Sequence, residues 1–467
     1  MKKYNDTYDN LVAPLYGPVR DCIHDNTLLQ TNDGPQLYRV AERIDMTMYK
    51  TYSIDPDGCE DADDAFSIYE EDGKLFLAIH IADPTEYINP NSELWRDIET
   101  RVVTRYPSNN RPIHMIPDEI MEKASLMVNK HGCIKLAITV LTEINNTTYE
   151  PIGGIKLLFT KVKVTHENAL SYKHAGNNAD YIDTLQNGLR ISDALYKIRS
   201  GKTKGTVLNE VSTAFPRYDD KRLYLYSDTK EEISMKQMIA EYAIFANTFV
   251  GEYLKINFEG RGIYRICNAS EWLSTVYSDI TGPELLNEII VNGIKAEYIS
   301  TVKPHDLVGA AEYTHFTSPI RRLSDCVCHY LLKYIHLKTG NPTLPVPFSN
   351  DQLRKYSDDC LKTTKRMKNI QYRDTKFRLI ETMRDMLLSN ETIDIQYYVS
   401  SYTGRFLNII INRINKHTVY LSYTLRISDL QVEYVLREEK HMTIKEANLI
   451  GKFDEGGLPE IDALFIK

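Results

Sequence analysis

The stretch SIDPDGCEDADDAFSI, residues 53–68, packs Asp55, Asp57, Glu60, Asp61, Asp63 and Asp64 into one short segment. Two chemistries suit so many carboxylates: a solvated surface loop, or oxygen ligands converging on hard cations. Asp55, Asp61, Asp63 and Asp64 offer only oxygen, the preference of Mg²⁺ and Mn²⁺. Crowded together they repel one another unless cations sit among them. Two such ions about 4 Å apart are a recurring device for cutting phosphodiesters. The loop also mimics a calcium-binding EF-hand, with acids at positions 3, 5, 9 and 12 counted from Ser53 and Gly58 at position 6. The mimicry fails at position 1 (Ser53), at position 8 (Glu60) and in the flanks, which do not read as helices.

A second group of reactive side chains lies far along the chain, in YTHFTSPIRRLSDCVCHYLLKYIHLKTG, residues 313–340. Thr317 or Ser318 suits a helix cap, Pro319 its first turn and Gly340 its end. Ile320, Leu323, Val327 and Leu331 mark the buried face. This places Arg321 and Arg322 in the first turn, where the helix dipole favours anions over cations. Two arginines there suit a phosphate that also uses the free N–H groups, or else a surface salt bridge.

The elements that position the acidic stretch read as strands. MTMYKTYSI before it is rich in β-formers, and AFSIYEEDGKLFLAIHIAD after it is two β-rich runs split by Asp72-Gly73, a hairpin signal. The acidic loop is thus expected to join strand to strand. At 467 residues, 42% of them hydrophobic and 26% charged, the chain has room for more than one domain. No run of eighteen apolar residues suggests a membrane span, and the first residues lack a secretory or transit signature. A cytoplasmic protein without membrane contacts is expected. The seven cysteines are odd in number and form no CxxC pair, so they are read as reduced core thiols rather than zinc ligands. A net charge of −8 excludes a uniformly basic surface but not a local basic channel. KTTKRMKNIQYRDTKFR, residues 362–378, carries seven Lys/Arg against one Asp, with Tyr372 embedded, and fits such a channel or a solvated helix face.

Together the acidic and arginine stretches resemble the ribonuclease II (RNB) family of 3′-to-5′ exoribonucleases. SIDPDGCEDADDAF is similar to its acidic signature and YTHFTSPIRRLSD to its second signature. LAIHIADPTEYI, TRYPSNNRPIHMIP, EYAIFAN and GIYRIC resemble further blocks in the family's order, over about residues 41–385. The resemblance implies an α+β fold, a mixed sheet wrapped by helices around a central channel. It implies that Asp55, Asp61, Asp63 and Asp64 hold Mg²⁺, with Mn²⁺ as the alternative, and that Asp63 and Arg321 are catalytic. It implies that Tyr106 packs on the 3′-terminal bases; stacking of that kind is sequence-tolerant. Arg322, Thr317 and Ser318 join the expected RNA-binding set. The implied reaction is hydrolysis of single-stranded RNA to nucleoside 5′-monophosphates, by a chain expected to act as a monomer.

The departures matter as well. Residues 1–40 are too few for the cold-shock-type barrels that relatives carry before the catalytic domain, expected here over 41–385. Residues 390–467, including DIQYYVSSYTGRFLNIIINRINKHTVYLSYTLRISDLQ, read as several short strands, an all-β domain expected to be a degenerate OB-type barrel. HYLL and RIC differ from the family pattern, with an expected effect on packing. Where relatives place a Tyr and a Glu–Glu pair to check the ribose, this chain has His166 and the pair Ala240–Glu241. His166 and Glu241 are therefore expected to contact RNA, with weaker exclusion of DNA. The alternative to an active nuclease is an RNA-binding pseudo-enzyme.

Overall fold

The structure, a computed structural model, describes residues 8–201, 213–218, 222–269, 283–403, 406–426, 438–444, 450–453 and 459–462. Its central sheet is built from β1 (Ile44–Asp45), β3 (Asp64–Glu71), β4 (Lys74–Ala82), β5 (Ile134–Ile144) and β6 (Pro151–Lys163), in the order β1-β6-β5-β4-β3. The expected hairpin joins β3 to β4, with Asp72 at φ 51° and Gly73 at φ 75°, the left-handed pair that a tight two-residue turn requires. β2 (Ser53–Asp55) lies off this sheet, paired in parallel with β7 (Ala169–Ser171) and bridged to β3 through Tyr52 and Phe66. The acidic loop therefore does join strand to strand. MTMYKTYSI is not one strand, however. Asp45 accepts hydrogen bonds from the backbone N–H and hydroxyl of Thr47, and this side-chain turn breaks the run before Ser53.

The described helices are α1 (Cys22–Gln30), α2 (Glu93–Arg101), α3 (Asp118–Ala124), α4 (Tyr172–Asn178), α5 (Asp183–Gly201), α6 (Lys230–Asn257), α7 (Pro283–Val291), α8 (Leu323–Leu337) and α9 (Asn350–Leu388). β4 is almost continuously buried, as a strand covered on both faces must be. Trp95, Tyr330, Phe348 and Tyr356 pack edge-to-face and stacked at the joint of α2, α8 and α9. A buried ionic cluster pins α8 to the end of β4. Arg43 and Lys333 both reach Asp83 (2.6 and 2.9 Å) and Glu86 (2.7 and 2.8 Å), and all four side chains are at most 3% exposed. Burial pushes the Asp83 carboxyl up, yet Lys333 and Arg43 hold it well below the usual range.

α8 begins later than its sequence suggests. Arg322 occupies its N-cap position, so Arg321 and Arg322 precede the helix instead of lying in its first turn. The cause is Asp325, which accepts from the backbone N–H of Ser318 (2.8 Å) and fixes the preceding segment as a non-helical loop. The helix also ends at Leu337, ahead of Gly340.

β12 (Ile393–Thr403), β13 (Phe406–Ile414), β14 (His417–Arg426) and β15 (Glu439–Ile444) form an antiparallel sheet in the order β14-β13-β12-β15. The first three are long strands rather than several short ones. Among the described residues this sheet stays open and no closed barrel forms, which corrects the OB-type expectation. Its apolar face (Ile395, Val399, Ile409, Ile411) packs with Phe377, Ile380 and Met383 of α9 and with Tyr8, Val12 and Tyr16 from the N-terminal segment. The basic stretch 362–378 is a middle part of α9. Asp374 within it is buried and accepts from the hydroxyls of Tyr8 (3.0 Å) and Tyr16 (2.7 Å), and from the backbone N–H of Ser108 (3.0 Å). Of the cysteines, all in the free thiol form, Cys267, Cys326, Cys328 and Cys360 are buried, while Cys22 is exposed.

Among the described residues no helix is long and apolar enough to cross a membrane.

Candidate active site

The end of β2, the acidic loop and the start of β3 bring Asp55, Asp61, Asp63 and Asp64 to the wall of one cavity of about 490 Å³. Gly58, at φ 78°, makes the reversal between them. Opposite lies the loop before α8, which contributes Tyr313, His315, Thr317, Ser318, Arg321 and Arg322. α6 supplies a third wall from one face: Lys236, Ile239, Ala240, Ala243, Ile244 and Asn247, the spacing of a single helical stripe.

Asp63 clasps the first two walls together. One carboxylate oxygen accepts from the Ile320 N–H (2.8 Å) and the other from Arg321 Nε (3.0 Å). Arg321 also donates to Ser318 Oγ (2.8 Å), and its side chain stays 43% exposed. Arg322 is held differently. Its guanidinium makes a two-pronged contact with Asp325, at 2.9 and 2.7 Å. Asn247 organises the rest of the loop, accepting from the Phe316 N–H and donating to the Tyr313 and Thr317 hydroxyls.

The electrostatics of the quartet show crowding. Burial, then Asp64 and Asp61, push Asp55 up to about 7. Burial pushes Asp64 up to about 6 against the pull of Arg321 and Arg322. Asp63 is raised well above the carboxylate range by burial, with Arg321 opposing. Oxygen-only donors whose charges raise one another suit a hard divalent cation. All four line the cavity; both Asp63 oxygens are also engaged, by the Ile320 N–H and Arg321, and both Asp61 oxygens, by Tyr106 and Cys59. The described cluster whose ligating atoms all lie within 4.8 Å of one another is elsewhere, at Glu119, Glu122 and His131. Lys123 and Lys130 already pair with those two glutamates, which marks a surface ion-pair network.

Tyr106 stands at the cavity, the residue 37% exposed and its hydroxyl donating to Asp61 (2.9 Å). Burial of that hydroxyl, then Asp61, raise its pKa. Two expected site residues are not there. His166 is exposed and off the cavity wall; Tyr172, six residues on, lines it instead. Glu241 is buried against Arg199 (3.0 Å from Nε), while its neighbour Ala240 faces the cavity. Sequence reasoning missed Tyr172, Lys236 and Asn247. For Lys236 and Asn247 the signal was available: they sit four residues before Ala240 and four residues after Ala243, on the same stripe of α6.

Comparison with known proteins agrees with this architecture. A match to the RNB domain family covers residues 43–338, and the chain belongs to that family. It is 22% identical over 354 residues to the chloroplastic/mitochondrial ribonuclease II of Arabidopsis thaliana, covering 74% of this chain and 42% of that one. The chain spans about half the length, or less, of the curated relatives it matches first. In structure it is similar to Mycoplasma genitalium RNase R in complex with ribose-methylated single-stranded RNA. The TM-score is 0.72 at 17% identity, over 92% of this chain and 74% of that one. It is also similar to yeast Ssd1, a pseudonuclease, with a TM-score of 0.64 at 16% identity over 95% and 58% of the two chains.

Proposed function

We propose that this chain is a divalent-metal-dependent exoribonuclease that shortens single-stranded RNA from its 3′ end and releases nucleoside 5′-monophosphates. The observation that carries the reading is the meeting of the aspartate quartet and Arg321 on one cavity, with Arg321 locked to Asp63. Phosphodiester hydrolysis needs positive charge around the phosphate and a positioned water more than it needs covalent help. Asp55, Asp61, Asp63 and Asp64 would hold Mg²⁺ or Mn²⁺, which supplies Lewis-acid charge and an activated water when bound.

The chain's own groups do the rest. Arg321 is aimed by Asp63 and Ser318, which leaves further N–H donors of its planar fork for a phosphate oxygen. Tyr106 offers an exposed ring face for a terminal base, and its bond to Asp61 ties that ring to the acidic loop. Ala240 offers no polar partner to a 2′-hydroxyl, so discrimination against DNA is weak. Arg322 acts through Asp325 to hold the SPIRR loop, not as a phosphate ligand.

The test uses one single-stranded RNA labelled at its 5′ end or its 3′ end, incubated with Mg²⁺ or with EDTA. The expected result is immediate release of labelled mononucleotide from the 3′ label, a progressively shortened 5′-labelled strand, and neither in EDTA. Binding without turnover in Mg²⁺ and in Mn²⁺ would favour an RNA-binding pseudo-enzyme; the structurally similar yeast Ssd1 is a pseudonuclease.

A further inference from the structure

His315 lines the catalytic cavity with Arg321 and Arg322 and is half-buried there. Two buried tyrosines pack edge-on against its ring. One is Tyr298 of β11 (Glu297–Ile299), with 5.4 Å between centroids, and the other is Tyr313, at 5.8 Å. The Tyr298 hydroxyl is 2.6 Å from Nδ1 of His315. The other ring nitrogen, Nε2, has no hydrogen-bond partner among the described residues.

The direction of the Tyr298 bond settles what Nε2 offers. Tyr298 is 4% exposed, and its hydroxyl has one described partner, Nδ1 of His315. Burial pushes that hydroxyl up to about 12 against the pull of Arg322 and Arg265, so it keeps its hydrogen at neutral pH. A proton on Nδ1 would leave the tyrosine hydrogen buried without an acceptor, which folding penalises. Tyr298 therefore donates and Nδ1 accepts, and a neutral ring then carries its one proton on Nε2. The ring does stay neutral: burial, then Arg322 and Arg265, hold its pKa well below the usual imidazole range. The cavity wall thus carries an uncharged N–H donor, set in one tautomer from behind.

We propose that His315 is a further RNA-contacting residue of this site, donating from Nε2 to a phosphate oxygen of the strand in the cavity, with Tyr298 as the positioning residue that fixes its tautomer. The inference rests on the RNA reading above and deepens it. Nε2 has no protein acceptor, so it is open to one from the substrate. Ionised phosphate oxygens are the strongest acceptors along an RNA strand, since a hydrogen bond to an ionised group is roughly twice as strong as a neutral one. A neutral imidazole adds such a bond without placing another cation beside Arg321 and Arg322.

The test measures binding of a single-stranded RNA by the full chain, in EDTA to block turnover. It compares the unaltered protein with His315→Phe, His315→Gln and Tyr298→Phe. The phenylalanine keeps the ring packing but has no donor, whereas the glutamine amide can place an N–H where Nε2 stands. His315→Phe should weaken binding about tenfold. His315→Gln should recover most of that loss, and Tyr298→Phe, which frees the tautomer, should lose about threefold. The slope of affinity against salt should not change, because no charge is removed. In the unaltered protein, nitrogen-15 NMR of the histidine rings, with His315 assigned by its absence from His315→Gln, should find the proton on Nε2. A proton on Nδ1 would overturn the proposal, however the variants fold. So would equal binding by His315→Phe, a loss that His315→Gln does not recover, or a flatter salt slope, the mark of a charged imidazolium. If a single 2′-deoxy substitution near the 3′ end abolishes the difference between the unaltered protein and His315→Phe, the contact is to a ribose and the proposal fails. Failure of the unaltered protein to bind RNA would instead defeat the functional reading itself.

Discussion

Asp63 and Asp55 show that one acidic signature contains two kinds of carboxylate. Asp63 is a clasp, with both oxygens engaged by Ile320 and Arg321, while Asp55 is crowded by its neighbours. The signs of their pH effects follow. An unfolded Asp loses its proton near 3.9, whereas folded Asp55 keeps it to about 7. Between those values the folded state holds more protons, so this group's contribution to stability falls as pH rises. In EDTA, Asp55→Asn should therefore melt a few degrees higher than the unaltered protein at pH 8 and equally near pH 4, a difference that added Mg²⁺ narrows. A lower melting point for Asp55→Asn at pH 8 would show that the quartet is not electrostatically frustrated. Arg321→Lys keeps the charge but loses the fork that holds Asp63 and Ser318 together. Its kcat should fall at least a hundredfold with RNA affinity changed less than threefold, the pattern of a contact made mainly in the transition state. A parallel loss of both would make Arg321 a binding residue. Ala240→Glu should raise the ratio of kcat/KM on RNA to that on DNA several-fold, because a carboxylate on the cavity wall can accept from a 2′-hydroxyl. An unchanged ratio would place the ribose elsewhere. Asp55, Asp63 and Arg321 were legible in the sequence from type and position, and Ala240 only through the family resemblance. Their orientation was not: which of Ala240 and Glu241 faces the cavity depends on helix phase, and Glu241 is drawn inward by Arg199, 42 residues away in the chain.

Elements carried a mixed signal. The Asp72-Gly73 hairpin was readable because a two-residue turn needs left-handed backbone at specific residue types. The start of α8 was misplaced because Asp325, a residue inside the helix, bonds back to Ser318 and holds the capping candidates in a loop. The ADPTEY block was recognisable only as a pattern; its purpose depends on partners far along the chain. Asp83 and Glu86 meet Arg43 and Lys333 with almost no exposure, in two positive and two negative charges. Removing one partner leaves an uncompensated buried charge, which costs about 3–5 kcal/mol. Lys333→Met should lower the unfolding free energy by about that much in urea titration, and adding Asp83→Asn should restore part of it. A loss below about 1 kcal/mol would mean that water reaches the cluster.

At the scale of the whole molecule, the first described segment and the C-terminal sheet meet on α9. Tyr8 and Tyr16 from the N-terminal segment, Ser108 from the loop carrying Tyr106, and the C-terminal sheet all converge on α9 around Asp374. The family itself was legible, since its motifs are long and ordered; the match to the RNB domain covers residues 43–338. The open C-terminal sheet was less legible, because alternation predicts strands but not whether a sheet closes. The central claim is that the acidic loop and Arg321 form a metal-dependent hydrolytic centre acting at RNA 3′ ends. The most direct measurement is single-turnover digestion of a 3′-labelled single-stranded RNA across a Mg²⁺ titration, by the unaltered chain and by Asp64→Asn, with the first product identified by mass. The account predicts nucleoside 5′-monophosphate from the unaltered chain, saturating with Mg²⁺, and at least a hundredfold slower release by Asp64→Asn although both bind the RNA alike. Undiminished release by Asp64→Asn, or release by the unaltered chain that persists in EDTA, would contradict it.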